Sequence, residues 1–369
     1  MRSQYAMHNR MYVEVFCYAA MGDDRSEVRA TIRAGCDHFV EMYGKSHQEM
    51  AQRIRDDEIN VLIDTTGYTM NMCTEVFAIG PSPIQVQFHG FPGTMGAEFM
   101  HYLAADRYAA PADHAQQFSE RLMLLPNTYL TNDHRQSRRE VYLAGTDPVH
   151  GPAPTRAEFG FSEDDVILCS FNQLYKIEPR VFATWMRILK RVPRAKLWLL
   201  RFTEQGVDKL RKSAGKLGVD PTRLVFHDQF PREREFRIKG LAELFLDTPL
   251  FNAHTTAGDV LWSGVPILTL PGENFAQRVA SGMLRSARLE DVLIAPTLEE
   301  YEALAVALAT REGVRGKMRA QLRSQRENLP LFDIQRLTSE YERGLLMSWD
   351  VHDAYGAPFN IVVSGSAET

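Results

Sequence analysis

The chain has 369 residues, 44% of them hydrophobic and 24% charged, with a formal net charge of −5. That length suits two α/β-sized domains better than one, and a mildly acidic chain with both signs spread along it speaks against a nucleic-acid partner. No apolar run approaches the ~20 residues of a membrane span, and the opening MRSQYAMHNRMY lacks the apolar core of a signal peptide.

These readings predict a cytoplasmic protein with no membrane partner. The four cysteines, Cys17, Cys36, Cys73 and Cys169, are far apart and show neither CxxC nor zinc spacing. They are expected to be reduced, mostly buried thiols.

In chain order, strand-like and helical runs alternate from the start. Tyr12 to Ala19 reads as a strand, Asp24 to Ala34 as an amphipathic helix, His38 to Met42 as a strand and Gln48 to Asp57 as a helix. Asn60 to Asp64, Ile84 to Phe88, Tyr102 to Asp106 and Arg121 to Leu125 are further buried strands, with helices at Asn71 to Ile79 and Pro111 to Ser119 between them. Such alternation predicts an α/β fold with a parallel sheet covered on both faces. The loop His89 to Gly96, HGFPGTMG, follows a buried strand with three glycines and a proline. A tight turn accounts for it, as does close approach of backbone to a ligand.

Residues 131–160 are polar and rich in Pro and Gly, and are expected to link a first domain over 1–130 to a second over 161–350, with a loose tail at 351–369. Val166 to Phe171 is a strand that delivers Asn172, Gln173, Tyr175 and Lys176 into a loop. A loop lysine is usually a solvated charge. This one follows a strand's carboxyl end, where doubly wound folds place ligands, so it can neutralise charge on a diphosphate leaving group, with Gln173 as a companion donor. Helices and strands alternate again to Leu246, and the last helix is read as Ile334 to Trp349.

The most informative stretch is Leu246 to Leu270, LDTPLFNAHTTAGDVLWSGVPILTL. Pro249 ends a strand, and His254, Thr255 and Thr256 open a helix that stops near Gly264. Unsatisfied N–H groups, two hydroxyls and the positive end of a helix dipole converge there and attract phosphate. Asp259, about one turn along, is placed to accept from ribose hydroxyls. Simple capping by the threonines is the plainer reading. The doubled Thr, the His and the acid together favour a nucleotide diphosphate.

Several stretches together carry a family resemblance: VEVFCYA (Val13 to Ala19), PSPIQVQFHGFPGTMGAEFMHY (Pro81 to Tyr102), FNQLYKIEP (Phe171 to Pro179), VPRAKLWLLRF (Val192 to Phe202), LDTPLFNAHTTAGDVLWSGVPILTLPGENFAQRVA (Leu246 to Ala280) and LPLFD (Leu329 to Asp333). In order and over nearly the whole chain, they resemble the catalytic region of the O-linked N-acetylglucosamine transferases, glycosyltransferase family 41. The resemblance implies a GT-B architecture of two Rossmann-like domains with the donor in the cleft between them. It implies inverting transfer of N-acetylglucosamine from UDP-GlcNAc to Ser or Thr hydroxyls of protein substrates, with no cofactor and no metal. By the same carry-over Lys176 is catalytic, Gln173 contacts the pyrophosphate, and His254, Thr255 and Thr256 hold the diphosphate. Asp259 takes the ribose, Arg232 stands where relatives have a lysine near the nucleotide, and Gly90 and Pro92 lie in the loop that touches the sugar. A related activity, protein O-fucosylation from GDP-fucose, is the alternative, as is nucleotide-sugar binding without transfer.

Two departures from the family pattern set further expectations. Glu235 occupies the position of a histidine that stacks on the uracil. A strand and loop of the form SSDFxxHPxxH, bearing groups proposed to handle the acceptor proton, have no counterpart here. The first domain is therefore expected to lack a central strand, and acceptor chemistry to be impaired.

Overall fold

A computed structural model describes residues 1–137 and 153–365, apart from the side chains of residues 232 and 233. The chain forms two compact units, Met1–Asp133 together with Asp333–Thr369, and His134–Phe332. Six strands belong to the first: β1 (Phe16–Ala19), β2 (His38–Glu41), β3 (Val61–Asp64), β4 (Ile84–Phe88), β5 (Tyr102–Asp106) and β6 (Arg121–Leu125). The second holds β7 (Val166–Ser170), β8 (Ala195–Leu200), β9 (Leu224–His227), β10 (Leu244–Leu246) and β11 (Ile267–Leu268), and β12 (Ile361–Val362) returns to the first. Every pairing among these strands is parallel.

In the first unit the strands run β12-β6-β5-β4-β3, and β1-β2 stand apart as a two-stranded sheet. Every residue of β4 and β5 is buried, as parallel strands covered on both faces require. Two buried glutamines in β4 hold the neighbouring helix Thr74–Ala78 and loops. Gln85 Nε2 donates to the carbonyls of Phe77 at 2.9 Å and Phe99 at 2.7 Å, and Gln87 Nε2 donates to Phe91 O at 2.9 Å.

Three expectations for this unit are corrected. The strand expected over Tyr12 to Ala19 is ordered as strand only from Phe16, because its pairing with β2 begins at Phe16↔His38. Cys17 and Cys36 are not reduced thiols but a disulfide, with Cα atoms 6.2 Å apart. The β1–helix–β2 crossover folds Cys36 back beside Cys17, a closeness that sequence spacing does not reveal. Cys73 is a half-buried thiol and Cys169 a buried one.

The tail is the third correction. The last helix runs Ile334–Tyr355, past Trp349, and ends at Gly356 with φ +63°. It groups with the first unit, where Tyr341 stacks on Phe88 at 4.2 Å and Glu340 accepts from Asn127 at 3.1 Å. Beyond it, Ile361 and Val362 pair with Met123 and Leu124, and Asn360 Oδ1 accepts the Leu122 amide at 2.9 Å. A short strand of this kind has no periodicity to read; the open edge of β6 orders it.

In the second unit the strand order is β11-β10-β7-β8-β9. Succession runs outward from β7 to β8 and β9, then returns to the other side of β7 with β10 and β11. The order therefore reverses between β7 and β10. The helix Pro179–Arg191 covers one face, with proline in its first turn and Val181, Phe182, Trp185, Ile188 and Leu189 buried at helical spacing. The expected linker is partly structured: His134–Ser137 is a short helix with His134 buried, while 138–152 lie outside the described residues. Among the described residues no helix is long and apolar enough to cross a membrane.

Candidate nucleotide-sugar site

The carboxyl ends of β7 and β10 lie side by side where the strand order reverses, which is where open α/β sheets take their ligands. β7 leads into Asn172–Lys176 and β10 into Asp247–His254. Two buried side chains shape the turn after β10. Asp247 accepts from the amides of Thr248 at 2.9 Å and Ala253 at 2.7 Å, and from Thr269 Oγ1 at 2.7 Å. Asn172 Nδ2 donates to Thr248 Oγ1 at 2.9 Å. Behind them, Trp185 Nε1 donates to Tyr301 Oη at 3.3 Å and Tyr301 Oη to Asp247 O at 2.9 Å, so covering helices brace the loop.

Lys176 ends a 3₁₀ turn, Leu174–Lys176, and is buried. Its Nζ donates to Asn252 O at 2.8 Å and lies 4.1 Å from the centre of the Phe251 ring. Burial lowers its pKa to about 8, with the Asp247 carboxylate opposing the shift. Asp247 in turn is raised to about 6 by burial, against the hydrogen bonds and the lysine that favour its charge. A lysine of this kind is a cation poorly compensated by its surroundings, ready for an anion. Gln173, just before the turn, is exposed with no side-chain partner among the described residues.

The helix Thr255–Trp262 begins directly after that loop. Its first hydrogen bonds run from the amides of Ala257, at 2.9 Å, and Gly258, at 3.3 Å, to His254 O. The amides of Thr255 and Thr256 precede them and are available to a ligand. Thr255 is exposed and Thr256 half-buried, and neither hydroxyl has a protein partner among the described residues. His254 stacks on Phe251 at 4.9 Å, with Nε2 3.1 Å from Ala276 O. Phe251 thus carries Lys176 and His254 on one ring.

Asp259 has partners that sequence reasoning missed. Oδ1 lies 2.9 Å from His134 Nε2, and Oδ2 accepts from Lys239 Nζ at 2.8 Å. Burial would raise its pKa; Lys239 and His134 outweigh that and hold it at about 2. The rings of Phe236, Trp262 and Phe332 surround His134 at 5.4–5.8 Å. A histidine in a polar, aperiodic stretch gave no sequence signal for this contact.

Glu235 does not present itself for stacking. Its Oε1 accepts the Phe230 amide at 2.8 Å and lies 3.7 Å from His227 Nε2, beyond hydrogen-bond reach. The half-buried ring in this region is Phe230, stacked on His227 at 6.0 Å and 13°, with the Arg234 guanidinium 4.5 Å from its centre. Arg232 opens the helix Arg232–Lys239, and its side chain lies outside the described residues.

Gly90 and Pro92 belong to the other unit. His89 and Gly90 both have positive φ, +72° and +62°. A Cβ on Gly90 would stand 2.5 Å from Thr65 O and 2.7 Å from Thr66 O. The loop therefore requires glycine there for backbone-to-backbone packing, whatever it binds.

A parallel sheet with a helix start and a buried lysine at its switch point is a doubly wound α/β unit with that lysine where such folds take ligands. Paired with a second parallel-sheet unit, it gives the α/β composition of GT-B glycosyltransferases. The model of glycosyl transferase family 41 matches residues 1–145 and 140–341. The probable UDP-N-acetylglucosamine–peptide N-acetylglucosaminyltransferase SEC of Arabidopsis thaliana is 42% identical over 95% of this chain and 35% of its own length. The UDP-N-acetylglucosamine–peptide N-acetylglucosaminyltransferase of Caenorhabditis elegans is 30% identical over 99% of this chain and 40% of its own. Among solved structures, a point mutant of the Thermobaculum terrenum O-GlcNAc transferase superposes with a TM-score of 0.83 at 26% identity, covering 96% of this chain and 65% of that one.

The chain belongs to glycosyltransferase family 41. It spans 35–40% of the length of these two curated relatives.

Proposed function

We propose that the chain transfers N-acetylglucosamine from UDP-GlcNAc to Ser or Thr hydroxyls of protein substrates, with inversion and without a metal ion. The observation that carries this reading is the convergence of the Lys176 ammonium and the Thr255 and Thr256 amides at the ends of β7 and β10. In the reaction the acceptor oxygen bonds to the anomeric carbon from the face opposite the diphosphate. The bond from that carbon to the phosphate oxygen breaks, the hydroxyl proton passes to solvent, and UDP leaves. Negative charge builds on the departing diphosphate, and a buried lysine with oriented amides opposes it far better than water does. Gln173 supplies a further donor to the pyrophosphate, with His254 beside the diphosphate end and Arg232 near the nucleotide. Each carboxylate oxygen of Asp259 keeps a second acceptor position after its bond to His134 or Lys239, free for a ribose hydroxyl. Phe230 and Arg234 offer the base a flat, cationic platform in place of the family's histidine. Gly90 and Pro92 serve the sugar, and the site of action is the cytoplasm.

The test is calorimetry with UDP and with GDP, beside a peptide-transfer assay with UDP-GlcNAc, on the chain and on Lys176→Ala. UDP binding and sugar transfer that both weaken in the variant support the reading. Preference for GDP would overturn the donor assignment, and UDP binding without transfer would leave a nucleotide-sugar binder.

A further inference from the structure

The loop after β10 holds a half-buried aromatic ring, Phe251, to which the proposed mechanism gives no part. Its backbone is pinned on both sides. Thr248 Oγ1 donates to Phe251 O at 2.7 Å, Asn252 Nδ2 donates to Thr248 O at 3.1 Å, and the Asn252 amide donates to Ala276 O at 2.9 Å. Three side chains gather on the ring held in this way. Lys176 Nζ lies 4.1 Å from its centre, His254 stacks on it at 4.9 Å, and Tyr175 meets it edge-on at 6.5 Å.

We propose that Phe251 is a positioning residue for sugar transfer, whose ring face seats the Lys176 ammonium and keeps it charged without neutralising it. The inference rests on the diphosphate reading of Lys176 given above. Core packing is a weak reason for an aromatic here, since the ring is only half-buried and its neighbour Leu250 is 54% exposed. An ammonium has three N–H donors, and the Asn252 carbonyl takes one of them.

A carboxylate in contact would hold the charge more firmly, but it would also cancel it and compete with the diphosphate. Among the described residues Lys176 makes no ion pair. Asp247 favours its charge without a salt bridge, and the Asp247 oxygens are engaged by the amides of Thr248 and Ala253 and by Thr269 Oγ1. The other titratable groups at the ring are Tyr175 and His254. An aromatic face attracts a cation through its quadrupole and has no net charge of its own, and the attraction is stronger where the cation is desolvated, as buried Lys176 is. The full positive charge is thus fixed in place and left for the ligand.

The test follows Lys176 by carbon NMR on the full chain labelled at lysine Cε, with the signal assigned from Lys176→Ala. In the unaltered chain it titrates at about 8. Phe251→Leu keeps apolar bulk and removes the π face, and is expected to lower that titration by about one unit. Phe251→Tyr restores the face and should leave it within a few tenths of a unit of the unaltered chain. Transfer should follow: the rate deficit of Phe251→Leu is expected to grow about fivefold from pH 6 to pH 8, and that of Phe251→Tyr not to grow. An unchanged or raised titration in Phe251→Leu overturns the proposal, as does an equal fall in Phe251→Tyr, which would make disturbed packing the cause. The titration needs no nucleotide, so the two readings fail separately. UDP binding that weakens in Lys176→Ala, with Phe251→Leu titrating like the unaltered chain, overturns this inference alone. UDP binding unchanged in Lys176→Ala overturns the diphosphate reading, and with it the part of Phe251 in transfer.

Discussion

Lys176 Nζ sits 4.1 Å from the centre of the Phe251 ring while it donates to Asn252 O at 2.8 Å. The lysine comes from the loop after β7 and its two partners from the loop after β10, so the charge is anchored by the segment that leads into the helix Thr255–Trp262. Fixing an ammonium in this way, before any ligand arrives, is what electrostatic preorganisation requires.

Replacing Lys176 with alanine is expected to lower transfer by about 10²–10³-fold, the scale for losing one preorganised donor to a developing oxyanion. The circular-dichroism spectrum should be unchanged. Steady-state kinetics decides the matter: an unaltered rate would place the diphosphate elsewhere.

The same lysine sets a pH dependence. With its pKa at about 8, it is charged below that pH and neutral above it. Affinity for UDP is expected to be level below neutrality and to fall as pH rises through about 8, with Lys176→Ala showing no such fall. Stability moves in the opposite sense. An unfolded lysine titrates near ~10.4, so between about pH 8 and 10 the unfolded state binds more protons and this group's contribution to stability rises with pH. Calorimetric titrations and thermal melts across that range measure both.

Asp259 offers an acid-side test. Its folded pKa of about 2 lies below the unfolded ~3.9, so its contribution is present above about pH 4 and lost as pH falls through about 2. The difference corresponds to about 2–3 kcal/mol. Asp259→Asn should flatten this part of the stability–pH curve, measured by urea unfolding between pH 5 and 2. Asp259→Ala, which leaves Lys239 buried without its counter-charge, should cost about 3–5 kcal/mol at neutral pH.

Two glycines with nearly the same backbone separate strain from crowding. Gly90 and Gly96 have φ of +62° and +61°, but a Cβ meets Thr65 O at 2.5 Å in the first and nothing within 4 Å in the second. Gly96→Ala is expected to cost about 1 kcal/mol for the left-handed conformation alone. Gly90→Ala should cost at least about 2 kcal/mol more, since the obstructing atoms are backbone. Equal midpoints in denaturant would show that the loop yields easily.

The docked tail is also testable. Asn360→Ala removes the acceptor for the Leu122 amide and should destabilise the chain by about 1–2 kcal/mol. Faster exchange at residues 121–125 would accompany it.

Much of this was legible in the sequence, and for a local reason. Whole-buried strands such as YLAAD and IQVQF announce themselves by composition, and Tyr102–Asp106 and Ile84–Phe88 have the boundaries read from them. Thr255 at the start of the helix and the turn that holds Lys176 follow from residues within a few positions. What stayed hidden depends on partners far away in the chain. His134 and Lys239 meet Asp259 across 125 and 20 positions. Cys17 finds Cys36, and the tail finds β6, through parallel crossovers that no spacing rule encodes.

The sequence by itself therefore determined the α/β alternation and the local turns and helix start of the candidate site, because strand burial, helix starts and turns are set by side chains close in the chain. Only the tertiary structure decided that β7 and β10 are neighbours at a switch point, that Asp259 is held by His134 and Lys239, and that the tail pairs with β6. Strand order is a competition among apolar surfaces of the whole chain for burial, and that competition is resolved only when all of them are folded together.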